Sequence, residues 1–84
     1  MVDSNGGEYV MYSKLRELIA KRQTQEGRII SNQELAALTG LNEATISRWM
    51  QPRPFKTLNV DTLVRLMDAL DCSFDDLLFK KKVP

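Results

Sequence analysis

The chain has 84 residues, a net charge of +1, 43% hydrophobic residues, one cysteine and no histidine. That length suits one small domain with a single core, and the lone Cys72 excludes an internal disulfide. The lack of histidine excludes imidazole catalysis and His-ligated metal, and no apolar run approaches the roughly 20 residues of a membrane span.

Residues 1–12 read as a flexible lead-in, polar at first and containing Gly6 and Gly7. Within it Tyr9 to Tyr12 is a brief apolar stretch that either covers the core or pairs with another segment. A first helix is expected from about Ser13 to just before Gly27. Its apolar face is Leu15, Leu18 and Ile19, and the Arg22 stem lies along it.

The second helix follows Ser31. Ser31 and Glu34 form an S-x-x-E capping box, in which the serine accepts from the third helical N–H and the glutamate reaches back. Ile30 and Leu35 have hydrophobic-staple spacing, and Gly40 stops the helix. Asn42 caps a third helix with Leu41 and Ile46 as its staple, both read as buried. Pro52 and Pro54 then forbid regular helix. Asn59 caps a fourth helix carrying Leu63, Leu66, Met67 and Leu70 on one face. Ser73 and Asp76 box a short fifth helix with Leu77 and Leu78 facing inward. Residues 80–84 read as a basic tail, with Lys80–Lys82 solvated by default and a phosphate or a dimer partner's acidic face as the alternatives. Four helix starts thus share one grammar, which is consistent evidence for an all-α domain.

Charge is unevenly placed. Residues 44–60 hold Arg48, Arg53 and Lys56 and no acid, whereas residues 59–79 hold five aspartates against Arg65. Two short helices joined by a glycine turn make a helix-turn-helix, a unit that can set its second helix in a DNA major groove. A basic surface beside that helix suits phosphate.

Over residues 13–79 the chain resembles the Cro/phage-repressor type of helix-turn-helix regulators, the XRE family. The resemblance is strongest at Gln33-Glu34-Leu35-Ala36, Thr39-Gly40-Leu41-Asn42 and Thr45-Ile46-Ser47-Arg48-Trp49. A second match is Leu63 to Leu70 followed by Cys72 to Leu78. The resemblance implies a compact five-helix, lambda-repressor-like all-α fold and sequence-specific binding of double-stranded DNA. It also implies a homodimer on a near-palindromic operator. Separately, the lone cysteine with no visible secretory signal points to a reducing cytoplasm, and no cofactor is expected. Three features depart from the family pattern. Met50-Gln51-Pro52-Arg53-Pro54 replaces a loop that usually holds an acid and a glycine. Asp71 stands at a common glycine position, and the Gln25–Ile30 link is long.

The recognition helix, about residues 42–50, offers Arg48, Ala44, Glu43 and Ser47 to bases. Arg48 can donate two bonds to guanine, or else meets phosphate or solvent; Ala44 can touch a thymine methyl or simply lets the helix approach; and Glu43 can accept from cytosine. Glu43 equally serves the helix dipole from the first turn. Ser31, Asn32, Gln33, Asn42, Thr45, Arg53 and Lys56 are the candidates for phosphate or backbone contact, the first three because helix N-termini favour anions. Trp49 reads as a packing residue that braces the recognition helix against helix four. Cys72, Met67 and Met11 read as core, and Asp75 and Asp76 as dipole and cap residues. Phe74, Phe79 and Val83 either form a dimer seam or finish the monomer core. A second function class remains open beside the regulator. It is a protein-interaction module, antitoxin-like or an accessory subunit, on the same fold. No nucleophile–base pair, metal cluster or phosphate-binding glycine loop points to an enzyme.

Overall fold

Helix boundaries follow the capping residues. The structure, a computed structural model, describes residues 8–83. Five helices are present: α1 (Leu15–Glu26), α2 (Asn32–Thr39), α3 (Glu43–Met50), α4 (Val60–Leu70) and α5 (Phe74–Leu77). Ser31 Oγ accepts from Glu34 N–H at 3.0 Å, Asn42 Oδ1 from Thr45 N–H at 2.8 Å, and Asn59 Oδ1 from Thr62 N–H at 3.1 Å. Each such cap contributes about 1 kcal/mol. The Asp76 carboxylate accepts from both Ser73 N–H and Ser73 Oγ–H, at 3.0 and 3.1 Å. α1 begins two residues after Ser13, whose hydroxyl accepts from Leu15 N–H.

The C-termini are stopped by left-handed residues. Gly27 and Gly40 have φ of 69° and 75°, and Asp71 takes the same region at φ 48°. Aspartate reaches that conformation more readily than most side chains. The long link before α2 is tied down by Gln23, whose side-chain carbonyl accepts from Ile30 N–H at 2.7 Å.

One half of the Ser31–Glu34 box is not made. The Glu34 carboxylate instead takes a bidentate pair of bonds from Arg28, at 2.7 and 2.9 Å. A fork of two charge-assisted bonds outcompetes a single neutral backbone N–H. Arg28 also reaches Glu26 at 3.1 Å, so it staples the end of α1 to the start of α2.

The core is Leu15, Ile19, Ile30, Leu35, Ile46, Trp49, Leu63, Leu66, Leu70, Leu77 and Leu78, all buried. Leu18, Leu41, Met67, Met11 and Cys72 pack partly buried against it. Leu41 is thus less enclosed than its staple spacing suggested. Arg22 lies between α1 and α4 and donates to the Leu70 carbonyl, one of the acceptors a helix end leaves free.

The all-α expectation is wrong. Three antiparallel strands pack with the helices: β1 (Glu8–Ser13), β2 (Pro54–Phe55) and β3 (Leu78–Val83), in the order β2-β1-β3. Ser13 pairs with Leu78 and Glu8 with Val83, while Met11 and Tyr12 meet Phe55 and Pro54 on the other edge. The lead-in from Glu8 onward and the lysine tail are therefore the two longest strands. The physical reason is non-local. Neither segment has a strong strand signature, and each finds its hydrogen-bond partner some seventy positions away in sequence. Alternation places Ser13, Met11 and Leu78 toward the helices. Tyr12 and Phe79 point the other way and stack at 5.4 Å between ring centroids. Residues 1–7, the remainder of the expected lead-in, lie outside the described residues.

Candidate nucleic-acid interface

α3 is a short amphipathic helix. Ile46 and Trp49 are buried, whereas Glu43, Ala44 and Arg48 are exposed and Thr45 and Ser47 half-buried. Trp49 does more than fill the core. Its ring meets Phe55 of β2 at 4.7 Å between centroids, tilted by 52°. Phe55 is in turn held in register opposite Met11 of β1. Besides lying in the core with Leu63, Leu66 and Leu70 of α4, Trp49 thus braces α3 against the sheet.

An open groove of about 520 Å³ results between α3 and β2. The helix contributes Ala44, Ser47 and Arg48 to it, and the loop and strand contribute Arg53, Pro54, Phe55 and Lys56. Five of the sequence-predicted residues therefore meet on one concave surface. Its three cations are Arg48, Arg53 and Lys56, and it has no acidic lining residue. Among the described residues the ion pairs are Arg28 with Glu26, Arg28 with Glu34, and Arg65 with Asp61, so none of these cations is neutralised by a carboxylate. An uncompensated cationic groove floored by short side chains can accept a polyanion closely.

The other predicted residues lie elsewhere. Asn42 and Thr45 are joined through the cap bond at the start of α3, which commits the Asn42 carbonyl and leaves its NH2 free to donate. Glu43 is exposed in the first turn and outside the groove lining. Ser31, Asn32 and Gln33 open α2, where Ser31 serves as the cap. Gln51 and Thr57 complete the groove and were not singled out from sequence. Their only signal was position, one just after α3 and the other just after Lys56.

A family model for a Cro/C1-type HTH DNA-binding domain matches residues 14–79. The chain belongs to this family. No curated protein and no solved structure matches it. The helix-turn-helix of this Cro/C1-type domain is α2 and α3, joined through Gly40. The turn is fastened from α4. Arg65 pairs with Asp61 at 2.8 Å, and its Nη1 approaches the Thr39 carbonyl at 3.5 Å, directly over Gly40. Among the described residues no group of His, Cys, Asp and Glu could hold a metal ion. No described helix is long and apolar enough to cross a membrane.

Proposed function

We propose that this Cro/C1-type domain is a transcriptional regulator that binds double-stranded DNA sequence-specifically, with α3 in the major groove. The observation that carries the reading is the cationic groove between α3 and β2, where Arg48 stands beside Ala44 and Ser47 with Arg53 and Lys56 across from them. In this reading Arg48 reads a guanine edge, Ala44 and Ser47 allow close approach, and Arg53 and Lys56 hold phosphates. Asn42, Thr45 and the opening residues of α2 meet the flanking backbone, and Glu43 accepts from a base or serves the dipole. Eight residues of α3 span about 12 Å. One domain therefore reads only a half-site, and a homodimer with recognition helices about 34 Å apart reads two.

Selection of bound duplexes from a random pool tests this directly. The expected result is a palindromic site with half-sites about one helical turn apart. In a salt series, log affinity should fall with log salt by about 0.9 per phosphate neutralised, so Arg53 and Lys56 alone account for about 1.8. Arg48→Ala should cost about 1–3 kcal/mol on the selected site and little on random duplex. Arg53→Ala should weaken both alike. No duplex binding at low salt, at any protein concentration, refutes the reading.

A further inference from the structure

Lys80, Lys81 and Lys82 are consecutive exposed residues of β3, so they cannot all face one way. The register identifies the two faces. Lys80 pairs with Met11, and Met11 pairs on its other side with Phe55, whose ring meets Trp49 of α3, so this face of the sheet is the one turned to α3. Lys82 pairs with Tyr9, two positions along, and so shares that face. Lys81 pairs with Val10 and lies on the opposite face with Tyr12 and Phe79.

Two strand spacings separate β3 from β2, which is about 10 Å. β2 runs antiparallel to β1, so Lys56 follows Phe55 toward the Val10 end of the sheet. That is the end where the lysines stand. Lys80 Nζ sits 4.8 Å over the Tyr9 ring, which holds this ammonium on the face it shares with Phe55. Among the described residues no carboxylate pairs with any of the three lysines.

We propose that Lys80 and Lys82 continue the cationic surface of the groove past β2 and hold a stretch of duplex phosphate backbone that α3 does not reach. The inference rests on the double-stranded DNA reading above. Lysines on an edge strand also discourage edge-to-edge association. That role is indifferent to the sheet face, and phosphate contact is not.

The test is a salt series with a mixed-sequence duplex on the full chain and on Lys80→Gln, Lys81→Gln, Lys82→Gln and the 80/82 double variant. Each of Lys80→Gln and Lys82→Gln should reduce the salt slope by about 0.9, and the pair by about 1.8, while Lys81→Gln leaves it unchanged. Lys80→Arg keeps the cation and should keep the slope. Circular-dichroism melting of every variant separates lost contacts from lost fold. If the parent binds duplex and the 80/82 variant has its slope, the lysines only guard the edge and the proposal fails alone. An equal loss from all three lysines refutes the face assignment. A parent chain that binds no duplex removes the DNA reading, and this proposal with it.

Discussion

Gly40→Ala probes the joint on which the helix-turn-helix depends, and Gly27→Ala supplies its control. Both glycines end helices in the left-handed region, at φ 75° and 69°. An added Cβ costs about 1–2 kcal/mol there. Loss of unfolded-chain freedom offsets about 0.4–1 kcal/mol of that, leaving a net cost of about 1 kcal/mol. At Gly27 nothing lies within 4 Å of the new Cβ, so the backbone cost stands alone. At Gly40 the Cβ would sit 2.9 Å from Arg65 Nη1, and the guanidinium must move. It would give up its approach to the Thr39 carbonyl, a further 0.5–1 kcal/mol or so. The exposed Arg65–Asp61 pair adds little. Gly40→Ala should therefore cost about 1.5–2 kcal/mol against about 1 kcal/mol for Gly27→Ala. Urea unfolding followed by the emission of the single tryptophan measures both, with a constant slope as the check on two-state behaviour. Arg65→Ala should lower the extra cost of Gly40→Ala to near zero in a double-mutant cycle. Equal costs at Gly27 and Gly40 in the parent background would refute the proposed role of Arg65 at the turn.

Trp49→Ala removes a ring that is 4% exposed and the brace on Phe55, so it should cost about 3–5 kcal/mol and leave little stability in a domain of this size. Chemical unfolding followed by circular dichroism checks this, and a loss below about 1 kcal/mol contradicts the core role. The backbone N–H of Ser73, followed by its hydroxyl, holds the Asp76 carboxyl below the usual aspartate range. A group depressed on folding stabilises above its unfolded value, and that contribution is lost as pH falls through the folded one. Asp76→Asn should thus be less stable than the parent at pH 7, with the gap closing in acid, and a pH-independent gap would exclude this linkage.

Much of the helical part was legible because its signals are local. Ser31, Asn42 and Asn59 sit where their side chains accept from the third helical N–H, and Gly27 and Gly40 sit where the chain must turn left-handed. A cap needs only a few neighbouring residues to form, so it is written in a few neighbouring letters. The Glu34 box misled for the opposite reason. Arg28 lies only six positions away, yet the fold of the intervening link decides whether it arrives. Trp49 was readable as packing but not its partner, since Phe55 reaches it only through pairing with Met11.

The sheet marks the boundary between the two kinds of information. By itself the sequence determined where helices start and stop, which faces are apolar, and that Arg48, Arg53 and Lys56 lie in a stretch without acids. The tertiary structure alone decided that residues 8–13 and 78–83 pair, that β2 joins them, and that the three cations close around one groove. A helix satisfies its backbone within its own turn. A strand must borrow its hydrogen bonds from a distant segment, and that partner exists only once the chain has folded.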